Sequence, residues 1–540
     1  MMRKLSVLLS LVAGLFSQNS NSIPFDWAGQ NGIVITDGAL FWNRSWTSGM
    51  LLFDGTYTSY PRRYGTHTST IFEPVNPGIF PSWRPLPDST TVESYFDYYK
   101  GDYAYDQLEI GANYDQLNSH LGLRAFKRSH GGNTGHYFYP GGGSSPIHHS
   151  YRIDYGASKN DRKLEVSAGR FITRSGLPDS TSNGLENDNI VNAGIRYQRP
   201  LGDWTMNSYF GQFFQHRLIH HSSMADSNYQ NINRNRLDIL FQSPGGFGFG
   251  INQNTQQMNG DSTNRFLSWS TFYLQKELKK INLLIGMNQF NNGSGDYPFS
   301  WQLNYQNEWD AFYMKIVSSG SPKPIHPTFD YSDRVTTYDS LNYELWSHAM
   351  VKVGFINQNM QGDLFVSMVH RKKRVYEKED SDIQFVGGNI GFDIKNGWSV
   401  YSKIIAQIDS SIYGGGIGTI ATAGIQGKLS LFKGYMKIDT HLWMDGTNGK
   451  LKSFGFDPIK QVPFNHRIPG WELPDKWLIH FEAVANISGV MLSYKINNIL
   501  NAVGGMGGAS QEDLMWARPN HVYPQLGRMM QFGVTWYFKN

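Results

Sequence analysis

The end of the chain sets the tightest limit on its fold. Met530, Phe532, Val534, Trp536 and Phe538 alternate there with Gln531, Gly533, Thr535 and Tyr537. Successive side chains of a strand point to opposite faces, so this ribbon has one wholly apolar face and one that is polar or small. It fits a wall between lipid and water, and predicts the closing strand of a membrane-spanning β-barrel. A soluble sandwich or propeller also alternates, but accounts for neither this strand nor the spacing of turns along the chain.

Ten strand–turn–strand units precede it, each alternating on both arms about a short polar or Gly-rich turn. The turns fall at 115–118, 158–162, 200–203, 243–246, 277–280, 307–310, 357–363, 395–397, 431–434 and 486–489. Longer, more polar segments join the units, which is the asymmetry of outer-membrane barrels with their short turns periplasmic. Ten hairpins give twenty strands, and Thr91–Tyr99 and the terminal strand add two. The expected fold is all-β: a transmembrane, outer-membrane antiparallel barrel of about 22 strands, with 20 and 24 as bounds.

The amino terminus agrees with that location. Residues 1–22 have the layout of a secretory signal peptide: Arg3 and Lys4, an apolar run from Leu5 to Phe16, then small and polar residues. No later stretch has the about 20 apolar residues of a transmembrane helix. The absence of cysteine excludes disulfides, thiolate metal sites and a lipid-anchored cysteine. With 57 Gly, 33 Phe, 30 Tyr and 15 Trp in 540 residues, the chain is aromatic yet soluble in mean hydropathy. A barrel reconciles the two, because only alternate residues meet lipid. Net charge is only +4, without a compact basic domain, so nucleic acid is not an expected partner. Residues 23–90, with a Pro-rich stretch at 74–87, are expected to form a short periplasmic or lumenal segment ahead of a barrel over 91–540.

Alternation also names the residues that face the lumen. Lys437, Asp439 and His441 lie inward on one strand, His480 and Glu482 on the next, and Lys495 on a third. They form a candidate solute-binding patch; two His and a carboxylate are also the residue types of a divalent-metal site, though generic lumen lining needs them equally. Arg124, Arg152, Asp154, Glu165, Arg196, Lys352 and Lys403 are inward by the same rule, and their mixed signs set no ion preference. Arg371, Lys372, Lys373 and Arg374 fall at the outer end of a strand, where lipopolysaccharide phosphates would lie. The pairs His148-His149 and His220-His221 are expected in outer loops. No Gly-x-Ser-x-Gly elbow, His-Glu-x-x-His helix or phosphate loop is present, so neither an enzyme nor a resident cofactor is expected.

Two resemblances sharpen this reading. The run VMLSYKINNILN from Val490, then Pro-Gln-Leu-Gly-Arg at 524–528 leading into the last strand, is similar to the final two strands of TonB-dependent receptors. That resemblance covers about 50 residues and implies energised uptake with a TonB complex or a surface lipoprotein. A full receptor also carries a plug with a TonB box; residues 23–90 are short for one, and LLFDGTYTSYPRRYG at 51–65 matches a plug only faintly. The region YKGDYAYDQLEIGANYDQLNSHLGLRAFKRS at 99–129 resembles the plug-less porin family of Bacteroidetes-like bacteria, which implies an outer-membrane channel. The expected function is passage or uptake of a small solute through the outer membrane, with outer-membrane lipid and lipopolysaccharide as its surroundings. The alternatives are a receptor-like uptake protein and a barrel that anchors adhesive surface loops.

Overall fold

A computed structural model describes residues 20–22, 33–36, 39–43, 52–53, 58–59, 89–102, 104–129, 147–176, 185–220, 227–260, 264–291, 298–324, 343–372, 381–408, 419–448, 451–452, 454–457, 462–465, 472–473, 476–500 and 528–539. Residues 1–19 of the expected signal and most of 23–90 lie outside these residues. Five short strands between Ser20 and Ser59 form a small antiparallel sheet of their own.

From Thr91 onward the chain forms one closed antiparallel barrel of 22 strands. They are β1 (Thr91–Gly101), β2 (Tyr105–Gln116), β3 (Ser119–Ser129), β4 (Ile147–Lys159), β5 (Arg162–Gly176), β6 (Leu185–Leu201), β7 (Trp204–His220) and β8 (Ser227–Gln242). Next come β9 (Phe247–Gly260), β10 (Asn264–Glu277), β11 (Ile281–Phe290), β12 (Phe299–Trp309), β13 (Phe312–Pro324), β14 (Tyr343–Ile356), β15 (Met360–Lys372) and β16 (Ser381–Ile394). The last are β17 (Trp398–Gln407), β18 (Thr419–Leu431), β19 (Met436–Asn448), β20 (Lys476–Ile487), β21 (Val490–Asn497) and β22 (Met529–Lys539). Each strand pairs with its sequence neighbours, so every expected hairpin forms about its expected turn. The turns use the conformations their residues allow: Asn160 and Asp161 both take positive φ, as a two-residue hairpin of matching twist requires.

Closure satisfies the backbone. In hydrocarbon an open sheet edge leaves amides without partners, so β22 pairs with β1 from Gln531↔Gly101 to Lys539↔Glu93. The faces of β22 follow the sequence pattern: Phe532 is 64% exposed on the lipid side and Gln531 7% exposed on the other. Thr535 donates to Asp97 at 2.6 Å across the seam. At its outer end the Met530 amide donates to the Asp102 carboxylate at 2.8 Å.

The loop asymmetry holds with two exceptions: the connection between β9 and β10 spans only 261–263, and that between β1 and β2 is equally short. The connection between β1 and β2 spans only 102–104 on the outer side, as short as the inner turns. A long loop there would carry Asp102 away from the seam that it pins. The paired histidines are also placed differently from expectation. His148 and His149 lie inside β4 and His220 ends β7, because these strands run past the about 9–11 residues that cross a bilayer.

Glycine fixes how aromatic rings lie on the wall. In eight cross-strand pairs an aromatic ring covers a glycine: Tyr95 over Gly111, Tyr99 over Gly533, Tyr273 over Gly250, Tyr313 over Gly354, Tyr401 over Gly424, Trp301 over Gly320, Trp398 over Gly427 and Trp477 over Gly446. A Cβ at any of these glycines would run into the ring. With the gap open, a tyrosine reaches across to the next strand but one. Tyr273 donates to Asp238 at 2.9 Å and Tyr313 to Asp363 at 3.0 Å. Asp238 also accepts from Asn252 and pairs with Arg236 at 2.9 Å; Asp363 accepts from Asn389 and lies 3.4 Å from Lys352. These inward knots bind three or more strands through one carboxylate, which suits a wall with little apolar core of its own.

Candidate functional site

Register decides which lumenal residues meet. His441 on β19 pairs with Glu482 on β20, and Glu482 pairs with Lys495 on β21, so these three share one row. Trp443 pairs with His480 one row nearer the outer side. Lys437 and Asp439 lie below on β19, exposed, towards the rim that carries the tight turn at 432–435. Five charged or imidazole side chains expected inward thus line a stripe that starts near the rim; His480 caps it, 1% exposed.

The centre of the stripe is an aromatic ladder. The Tyr401 hydroxyl lies 2.8 Å from His441 Nε2, over the gap left by Gly424. His441 stacks on Trp443 at 4.4 Å between ring centroids, and Trp443 stacks on His480 at 5.1 Å. Lys495 Nζ lies 5.8 Å from the Trp443 ring, a cation–π approach. The Asn498 amide donates to His480 Nδ1 at 3.3 Å, which leaves Nε2 to carry the ring proton.

The indole between the two imidazoles changes their chemistry. Ring faces are taken by neighbouring rings, so the ladder presents no open π-face between the two imidazoles. His441 and His480 stand on opposite sides of Trp443 and cannot converge on one ion. Among the described residues no three His, Asp or Glu side chains are grouped to hold a metal. Trp443, Tyr401 and Gly424 were not singled out by sequence. Trp443 is inward by alternation, but only register shows that it sits between the histidines.

Exposure differs around the lumen. At mid-height on β8 and β9 the inward Arg234 is 1% exposed and Asn252 0%. On β17 and β19 the inward Lys403, Lys437 and Asp439 are exposed. On the same wall the inward His480 is 1% exposed and Ser493 7%, so exposure there falls away from the rim. Of the other inward residues, Glu165 pairs with His120 at 3.3 Å and Asp154 with Arg152 at 2.7 Å. Those charges are spent within the wall. Of the basic cluster, Arg371 and Lys372 end β15, where pairing with Trp346 and Leu345 puts them at the outer end. Lys373 and Arg374 lie outside the described residues.

No family model matches the chain, and no curated protein matches it. Solved structures do. The copper transporter OprC is similar with a TM-score of 0.63 at 10% identity, covering 85% of this chain and 83% of that one. The FrpB iron transporter from Neisseria meningitidis (F3-3 variant) is similar with a TM-score of 0.61 at 11% identity, over 83% and 82%. The siderophore receptor PirA from Pseudomonas aeruginosa is similar with a TM-score of 0.58 at 9% identity, over 84% and 81%. At these identities the likeness is one of fold: a large closed barrel.

Proposed function

We propose that the chain is an outer-membrane barrel that takes up a small polar solute, passed along the wall formed by β17 to β21. The stripe from Lys437 and Asp439 through His441, Glu482 and Lys495 to Trp443 and His480 carries this reading. It is exposed at its lower end and offers the cations of Lys437 and Lys495 at successive heights. A solute with carboxylate, phosphate or hydroxyl acceptors matches that lining.

Planar-bilayer recording of purified protein tests it. The expected result is ion conductance, with a reversal potential in a salt gradient that shifts towards cations in the Lys437→Gln/Lys495→Gln double variant. Absence of conductance would sink the open-passage form. A reversal potential unmoved by the double variant would remove the solute from this wall.

A second reading has support of its own. The resemblance of 490–528 to TonB-dependent receptors, and a fold shared with iron, copper and siderophore uptake proteins, favour energised uptake with a TonB complex or a surface lipoprotein. Under it, residues 23–90 act as a reduced plug, in the lumen or just beneath it. Removing them from the full chain is expected to raise conductance; unchanged conductance counts against a plug. The basic residues Arg371, Lys372, Lys373 and Arg374 are proposed to meet lipopolysaccharide phosphates at the outer rim.

A further inference from the structure

The lipid-facing side of β2 to β6 is not a smooth cylinder. It carries a groove of about 710 Å3, mostly apolar, within the about 300–1,000 Å3 range of ligand sites. Ala125 and Ala168 form its floor, between the larger Leu123, Tyr151, Ile153 and Val191. Tyr151 is 50% exposed and Ile153 44%, so both stand out from the wall as ridges.

Cations crown the groove at one end. Arg170 faces outward in the row Tyr151–Arg170–Val191, and its Nε donates to Asn189 Oδ1 at 3.0 Å. One row further out, Lys127 pairs with His149 across β3 and β4. Lys127 and Arg170 are each the ninth residue of their strand counted from the tight turn at 117–118 or 160–161. Since a strand crosses hydrocarbon in about 9–11 residues, both cations lie at the outer headgroup level and the groove runs inward beneath them. A cation on the lipid face is costly at the midplane and tolerated at the interface, where anions meet it. The outward carboxylate Asp106 accepts from the Tyr98 hydroxyl at 3.2 Å and sits opposite Lys100, so it is engaged elsewhere.

We propose that this groove seats an acyl chain of a phosphate-bearing glycolipid of the outer leaflet, its phosphate held by Lys127 and Arg170. Charge selects the occupant. A second copy docking by the same face would set basic rim against basic rim across a two-fold axis. A zwitterionic phospholipid brings one phosphate already balanced by its own ammonium, so it matches two adjacent cations less well than a bisphosphorylated lipid. The proposal rests on the tight turns being periplasmic and is independent of the solute path.

Native mass spectrometry of the full chain with added bisphosphorylated lipid A tests the site. One lipid A is expected to stay bound at low detergent energy, and phosphatidylethanolamine not to displace it. The Lys127→Gln/Arg170→Gln double variant should lower the retained fraction about tenfold. Ala168→Phe, which fills the floor and leaves both cations, should lower it as well. Heat-modifiable gel migration confirms that each variant is a folded barrel. Equal retention by folded variants, displacement by phosphatidylethanolamine, or a dimer cross-linked through Ile153→Cys would each overturn the proposal, whatever the bilayer recordings give.

Discussion

At the scale of single residues, the absence of a side chain does as much as its presence. Gly424 lies between Tyr401 and Trp443 in one row, and a Cβ there would stand 2.8 Å from the Tyr401 ring and 2.9 Å from Trp443 Cβ. Gly424→Val is therefore expected to cost about 1–3 kcal/mol by overpacking and to break the Tyr401–His441 contact. Urea unfolding of the reconstituted barrel measures the first; the bilayer reversal potential reports the second. Tyr401→Phe should cost only about 1 kcal/mol, because the ring still covers the glycine and one hydrogen bond is lost. Equal losses in the two variants would argue against the glycine gap. Such a role was not legible in the sequence: Gly424 and Tyr401 are 23 positions apart, and nothing local tells a glycine that seats a ring from one that merely turns.

At the scale of strands and turns, the sequence was legible where the physics is local. Alternation along Tyr435–Met444 identifies inward Lys437, Asp439 and His441 without knowing any partner strand, because the period of two is intrinsic to a strand. Turns were found for the same reason, each resting on two to four adjacent residues. Register is not local, so Trp443 between the histidines emerged only in three dimensions. Strand length was underestimated as well, which is why His149 was expected in a loop; a polar strand that continues above the membrane looks like loop in sequence. Asp102 belongs here too, since its partner Met530 is 428 residues away. Asp102→Ala should lower the urea midpoint of the barrel by an amount corresponding to about 1 kcal/mol, while Asp102→Asn, which keeps an acceptor for the Met530 amide, should retain most of it. Identical behaviour of the two would mean that the seam does not depend on that contact.

At the scale of the whole molecule, the inward residues divide between shielded, hydrogen-bonded groups and exposed charges. Shielded polar side chains such as Arg234 and Asn252 knit the wall, while Lys403, Lys437 and Asp439 stay exposed. The seam has a further meaning for how such a molecule comes to exist. Thr535 and Asp97, which it joins, stand 438 residues apart, so every other strand must be laid down before the ring shuts. Until then both free edges present amides that hydrocarbon will not accept. No shorter ring is available along the way, because each remaining strand pairs only with its sequence neighbours. The ring is therefore complete only when Met529–Lys539 is present to pair with Thr91–Gly101, so closure depends on both ends of the barrel sequence at once.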